Sequence, residues 1–448
     1  MSLISDIDAN CPGQRVKMQS YPLHKAVFDN DVKGLAQALK TTYVGETDLH
    51  GNTALHLSLM LGHKECTALL LAHRAPIKVK NLNGWSPLAE AVSYGDRQIL
   101  ISILRHLKLE ARQSIQSRKP YLIQALTSLD DFSMELKWDF HFIVPFVSNM
   151  LPSDVCKIYK LGASLRMDTT LVDFNEKAWE RGDISFLFDS NAKDGEALVI
   201  LDNKAKVYQR IQYEENEREV EDEVDILMSS DIVNAQMSTK RVNFVRDQVG
   251  WFFNRHDRNE YVGDQYAEFY RVEGLELVSR KRREHLSADD VAKNKSMLQS
   301  IQNGEIMVGD LLARRKSIAP PPKNKISFAT YLDSEPGDWP DIGRKQIVKR
   351  SVKKFSPKVA MSQEFPLTVL QLVNILEIIA PFKNIKKLRE FCECKLPPGF
   401  PVKVEIPLFL TISAIITFQN FKTSPDIKPS LFKIPKNYRE DNKRFPDL

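Results

Sequence analysis

Two stretches of this chain repeat each other at a fixed distance. From Gly51 it reads G-N-T-A-L-H-L-S-L-M-L-G-H, and from Gly84 it reads G-W-S-P-L-A-E-A-V-S-Y-G-D. Gly51 and Gly84, Thr53 and Ser86, Leu55 and Leu88, and Gly62 and Gly95 all share one interval. An earlier unit, Tyr21-Pro22-Leu23-His24-Lys25-Ala26, precedes Ala54-Leu55-His56 by almost the same interval, measured from Leu23 to Leu55. Such a period admits few folds, because each unit is too small to bury its own apolar face and must stack on its neighbours. Thr53 and Ser86 offer side-chain oxygens to cap a first helix. Gly62 and Gly95 allow the turn into a second helix, where a positive φ is cheap for glycine. Leu69-Leu70-Leu71 and Ile103-Leu104 supply that second helix's buried face.

The shared interval, roughly 33 residues, is the period of the ankyrin repeat, a helix-pair unit. About three units fill residues 21–110, after a tail at 1–20. Three is near the minimum for a stable stack, so the array is expected to lean on the segment after it. Arg112–Phe146 reads as helix, since Ile115, Leu122, Ile123, Leu126, Leu129 and Leu136 recur near helical spacing. Residues 111–160 are therefore expected to be a helical cap or connection.

From about Leu165 the period changes to two. Ser185–Phe188, Ala197–Leu201, Lys206–Ile211, Arg241–Val249, Gln265–Val272 and Leu275–Arg280 read as strands, with Asp194-Gly195, Asp202-Asn203 and Glu273-Gly274 as turns. An antiparallel meander over 161–285 is the expectation, interrupted by an acidic, apolar-poor insertion at Glu214–Asp225. Residues 286–330 read as a helix followed by a Pro-rich linker that includes Pro320-Pro321-Pro322, a stiff spacer or a ligand for a proline-recognising module. Residues 331–437 read as a further α/β part, with helices at Phe365–Ile379 and Ile385–Cys392 and a strand-like Val402–Phe418, and 438–448 as a polar tail. The strand-like stretch and the Phe365–Ile379 helix are apolar enough to line a groove for a client's hydrophobic segment, although ordinary core is the preferred reading. The expected class is α+β multidomain: an N-terminal ankyrin stack, then a mixed domain on an antiparallel sheet with helices.

Several functions are disfavoured. The net charge of +5, from 63 basic and 58 acidic side chains, gives nucleic-acid binding no support. The five cysteines are odd in number and scattered, and Cys392 and Cys394 form C-x-C rather than a zinc or redox spacing. Phe365–Phe382 carries Gln371, Asn374 and Glu377, and Ile406–Phe418 is short of the roughly 20 residues a spanning helix needs. No signal peptide is read in the acidic Met1–Asn10. No zinc-protease, P-loop or nucleophile-elbow motif occurs. His24 and His56 occupy a position that hydrogen-bonds within repeat turns, and the matching residue of the third unit is Ala89, which a shared metal site would not tolerate. No catalytic, metal or cofactor site is expected.

Binding residues are sought on the finger between the second and third repeats. Lys78, Lys80, Asn81, Asn83 and Trp85 lie at its tip, where an exposed tryptophan makes an efficient contact; alternatively Trp85 packs on the neighbouring finger. Arg280-Lys281-Arg282-Arg283 is a basic patch that could meet a partner's tails or anionic headgroups. A solvated strand end, or pairing with Glu214–Asp225, is the preferred reading. Arg314-Arg315-Lys316 places Ser317 in a basophilic kinase pattern.

Beyond these residues, Y-P-L-H-K-A-V, H-K-E-C-T-A-L-L-L-A-H and N-G-W-S-P-L-A-E-A-V-S-Y-G-D-R-Q resemble the ankyrin-repeat-domain 13 proteins. So do L-P-S-D-V-C-K-I-Y-K (Leu151–Lys160), E-V-D-I-L-M-S-S-D-I (Glu223–Ile232), S-R-K-R-R-E-H-L (Ser279–Leu286), A-M-S-Q-E-F-P-L (Ala360–Leu367), L-P-P-G-F-P-V-K (Leu396–Lys403) and R-F-P-D-L. The resemblance is to the C type of that family, which lacks ubiquitin-interacting motifs. After the acidic run at Glu221–Glu223, Met228 and Ile232 stand where such a motif needs Ala and Ser. The resemblance implies a non-enzymatic chaperone for immature G-protein-coupled receptors, peripherally bound at the cytosolic face of the endoplasmic reticulum and acting on receptor biogenesis and exit. The alternative it implies is a scaffold or adaptor in endocytic trafficking that does not bind ubiquitin.

Overall fold

In a computed structural model, the structure describes residues 21–142, 153–175, 178–192, 197–210, 217–251, 254–302, 314–321, 326–379, 389, 396–409, 412–423, 426–442 and 444–445. Helices α1 (Pro22–Phe28) and α2 (Val32–Ala38), α3 (Ala54–Leu61) and α4 (Lys64–Ala72), and α5 (Pro87–Tyr94) and α6 (Arg97–Thr127) form three stacked pairs. Their ends follow the sequence logic. Thr53 Oγ1 and Ser86 Oγ accept from the backbone N–H groups of His56 and Ala89, and Gly62 and Gly95 end α3 and α5 at φ of 72° and 82°. A Cβ on Gly62 would also run into the far end of the Tyr94 ring, which would have to move, and the positive φ itself favours glycine there.

The helix α6 runs for 31 residues, about 46 Å at the usual helical rise. Ile99, Leu100, Ile103 and Leu104 at its start belong to the repeat core, whereas Leu126 near its end is buried in the core of the sheet. It is a single strut between the two parts of the molecule. The helical reading of Arg112–Phe146 therefore holds only to Thr127. Phe132–Phe142 is strand β1 and Asp154–Leu161 is β2, so the sheet begins at Phe132 rather than near Leu165, and 111–160 is not a helical cap. Residues 143–152 lie outside the described residues.

The strands continue with β3 (Ser164–Asn175), β4 (Ala178–Phe188), β5 (Leu198–Asp202) and β6 (Val207–Arg210). After helix α7 (Glu217–Ser229) come β7 (Ile232–Ser238), β8 (Asn243–Arg246), β9 (Gln248–Val249), β10 (His256–Asp257), β11 (Asn259–Val262), β12 (Gln265–Glu273) and β13 (Leu275–Arg282). Helices α8 (Ala288–Gln302) and α9 (Phe328–Leu332) lead to β14 (Lys349–Phe355) and β15 (Lys358–Ser362). Helix α10 (Val369–Ile379), β16 (Phe400–Phe409), β17 (Ile412–Thr423) and β18 (Arg439–Glu440) complete the chain.

Thirteen of these strands make one sheet, in the order β11-β12-β15-β16-β17-β1-β2-β3-β4-β5-β6-β18, with β8 also on β12. Its pairings are antiparallel except β18 on β6. The described residues of 438–448 are thus no free tail: Arg439 and Glu440 add a strand, and Arg444 pairs with Asp202 at 2.7 Å. Leu126, Leu367 and Leu372 cover Phe132, Val402, Phe400 and Phe418 on one face of the sheet. Val402 and Phe418 are therefore ordinary core and do not line a groove. The Val402–Phe418 stretch belongs to two strands of one hairpin, β16 and β17. The expected helix Ile385–Cys392 lies, except at Arg389, outside the described residues.

A separate three-stranded sheet, β14-β13-β7, lies against the ankyrin fingers. From Glu217 onward the acidic insertion turns out to be α7, whose Val220, Val224 and Met228 recur every four residues and bury against the repeats. Residues 314–321 are mostly exposed but anchored to the repeats at Ile318, whose N donates to Gly95 O at 2.9 Å and whose side chain packs against the repeat core. Phe328, Tyr331, Leu332 and Ile342 complete the cover. One hydrophobic core is thus built jointly by the repeats and by segments from as far along the chain as Ile342.

Candidate partner-binding site

The finger expected to bind a partner is occupied by the chain itself. Asn81 N donates to Trp85 O at 3.0 Å, Asn81 Oδ1 accepts from Trp85 N at 2.9 Å, and Asn81 Nδ2 donates to Asn52 Oδ1 at 2.9 Å, which closes the loop on the preceding finger. Lys80 Nζ donates to Asn234 Oδ1 of β7 at 2.5 Å, and Asn234 Nδ2 donates to Gly84 O at 2.8 Å. Asn83 Nδ2 donates to Gly337 O at 2.8 Å, while Asn83 O accepts from Arg280 at 2.9 Å. Trp85 is 2% exposed, with the Arg282 guanidinium 4.9 Å from its ring centroid. Of the five finger residues, Lys78 and Lys80 are exposed; the Lys78 side chain is 60% exposed and 3.3 Å from Glu110, whereas Lys80 is tied to Asn234. The exposed-tryptophan reading is therefore corrected: Trp85 packs, and it packs against β13, a strand from the other part of the molecule.

The neighbouring finger is gripped in the same way. Tyr331 Oη donates to Asp48 Oδ2 at 2.6 Å and accepts from Asn52 Nδ2 at 2.8 Å. His50 bridges Tyr331 O at 2.9 Å and Gly337 N at 3.3 Å, so its Nδ1 accepts and its Nε2 carries the proton. Burial, with Asp48 adding to it, holds the Tyr331 phenol well above its usual range, and it stays a neutral donor.

The basic patch divides in two. Arg282 is buried and pairs with Glu90 of α5 at 2.8 Å and Glu284 at 2.6 Å. Burial opposes its charge, but the two carboxylates outweigh burial and raise its pKa; in return Arg282 holds Glu284 low against the same burial. Lys281 and Arg283 reach Asp231 at 3.9 and 3.2 Å, and Arg280 is turned to the finger. The patch is thus neither a solvated strand end nor the partner of Glu214–Asp225. That acidic run, as α7, pairs instead with Arg97, with Lys108 at 2.6 Å and with Arg105 at 3.4 Å.

Ser317 is exposed, and its Oγ accepts from the N–H of Arg97 at the start of α6, at 3.0 Å. His24 and His56 serve structure: each Nε2 reaches a backbone oxygen of the next unit, Asn52 O at 2.9 Å and Trp85 O at 3.1 Å. Burial lowers the His56 pKa to about 4 and also lowers that of His24, so both rings stay neutral. A crevice of about 240 Å³ at the seam, lined by Glu90, Tyr94, Trp339 and Arg344 among others, is below the roughly 300–1,000 Å³ of ordinary ligand pockets. Among the described residues no helix is long and apolar enough to cross a membrane, and no three His, Cys, Asp or Glu side chains cluster to hold a metal. The arrangement holds the repeats and the sheet part together across a shared seam.

Sequence reasoning does not identify Tyr331 and Trp339, which pack on His50, as the clasp on the finger. A signal it passes over near the site is the four-residue spacing of Val220, Val224 and Met228 inside the acidic run.

Comparison with known proteins agrees with this architecture. The family described as ANKRD13 C-terminal matches residues 166–444, and ankyrin repeats (3 copies) match 23–114. The chain is similar to mouse ankyrin repeat domain-containing protein 13C, 53% identical over 96% of this chain and 79% of the relative, and equally to its human counterpart. Human ankyrin repeat domain-containing protein 13B is 33% identical over 96% of this chain and 72% of its own. The chain belongs to the ankyrin repeat domain-containing protein 13 family, with its repeats and sheet locked into a single protein-binding framework.

Proposed function

We propose that this protein is a non-enzymatic chaperone for immature G-protein-coupled receptors, held peripherally at the cytosolic face of the endoplasmic reticulum and acting on their biogenesis and exit. The observation that carries the reading is the match to the C type of the family across nearly the whole chain. The seam supports a particular version of it. Because Lys80, Asn83 and Trp85 are used within the chain, the client meets outer surfaces rather than those fingers. Client release proceeds by competition or client folding.

Crosslinking newly made receptors to this chain in reticulum membranes tests the proposal. Receptor adducts, with the protein recovered on those membranes and extracted by alkali, are the expected result. Recovery with endosomes and no receptor adduct would refute it in favour of an endocytic adaptor.

A further inference from the structure

The strand β14 is an edge: it pairs with β13, and among the described residues no strand lies on its other side. Its sequence is Lys-Arg-Ser-Val-Lys-Lys-Phe, and every residue but the last is exposed. Just before it stand Ile347 and Val348, 62% and 46% exposed, and within it Val352 is 48% exposed. Lysine on an edge strand ordinarily blunts it against unwanted pairing. That purpose does not account for three exposed β-branched residues, which invite pairing. Nor does it account for the register, in which Arg350 stands directly across from Arg280 and Lys349 across from Lys281. Like charges so placed work against the ladder. Glu276 of β13 lies 3.9 Å from Lys354, and Lys353 Nζ sits 4.9 Å from the Phe355 ring centroid.

We propose that the open edge of β14 takes an acidic, extended segment of another polypeptide as an added strand. The incoming backbone would satisfy the open N–H and C=O groups. Its carboxylates would meet Lys349, Arg350, Lys353 and Lys354, and its apolar residues would cover Val352 and the Ile347-Val348 approach. An anionic membrane would match the charge but would leave the backbone edge unpaired, so the observations favour a polypeptide. This inference goes beyond the receptor reading and does not depend on it.

The test uses the full chain and a fluorescein-labelled nonapeptide of alternating Glu and Val, read by anisotropy. A second copy of the peptide is N-methylated on alternate residues, and phosphatidylserine vesicles form a third arm. Binding of the first peptide, weakened about tenfold by K349E/K353E and by the milder K349Q/K353Q and also by salt, is the expected result. The N-methylated peptide should not bind. Equal binding of the methylated peptide would overturn the proposal, as would indifference to both double substitutions or binding to vesicles without binding to peptide. Thermal melts of the variants separate loss of the site from loss of the fold, since β14 side chains lie outside the cores. Receptor crosslinking in reticulum membranes is a separate readout, so failure of either proposal leaves the other standing.

Discussion

Arg282 on β13 and Glu90 on α5 are joined as a buried, two-pronged ion pair, with nitrogen–oxygen distances of 2.8 and 3.1 Å. They lie 192 residues apart in sequence, on opposite sides of the seam between repeats and sheet. Removing one partner leaves a buried charge uncompensated, and here Arg282 serves Glu284 as well. Arg282→Met should therefore cost about 3–5 kcal/mol in urea unfolding. A loss under about 1 kcal/mol, the worth of an exposed pair, would show that water reaches these groups and that the seam is loose.

Tyr331 gives a finer probe of the same seam. Tyr331→Phe keeps the ring against Phe28, Phe328 and His50 but strands Asp48 Oδ2 and Asn52 Nδ2. The expected cost is about 1–3 kcal/mol. Hydrogen exchange should quicken in residues 326–342 before it does in β1 or β17. Uniform quickening would mean that the segment is no separate clasp.

What can be read in the sequence is whatever local chemistry dictates. The repeat units are legible because Thr53, Ser86, Gly62 and Gly95 perform their tasks on their near neighbours. The start of the sheet is not. Phe132, Met134, Leu136, Trp138 and Phe140 alternate as a strand should, but Leu126, Leu129 and Leu136 also extend a helical spacing, and the two patterns overlap. The role of Trp85 is illegible for another reason. Its finger looks like an open ankyrin tip until Asn234 and Arg280 arrive from β7 and β13, and no local signal announces partners so distant along the chain.

The buried histidines set a pH dependence. An unfolded histidine titrates near 6.5, whereas burial lowers His56 to about 4 in the fold. Between these values the unfolded chain binds the extra proton. The contribution is thus fully present above pH 6.5 and is lost as pH falls toward 4, at about 1.4 kcal/mol per pH unit for each proton. His24 is shifted the same way and adds to the slope. Unfolding free energies measured from pH 7 to pH 5 should fall with pH, and His56→Gln should flatten the curve by about one proton. An unchanged slope in that variant would mean His56 is protonated in the fold.

The repeats should not stand alone. A fragment of residues 21–127 keeps all three helix pairs but loses Val220, Val224, Met228, Phe328, Tyr331 and Leu332 from its core. Burying a large apolar side chain is worth about 1.5–3 kcal/mol, so six of them match or exceed the roughly 5–15 kcal/mol that holds an ordinary domain together. The fragment also leaves Glu90 without Arg282, and Asp48 without Tyr331. Circular dichroism should therefore show reduced helix and a broad melt, with strong binding of a hydrophobic dye, where the full chain melts sharply. A fragment that melts cooperatively at the full chain's temperature would make the repeats an autonomous module. The fingers would then be covered by a detachable arm rather than by a shared core, and a client able to displace that arm could reach them.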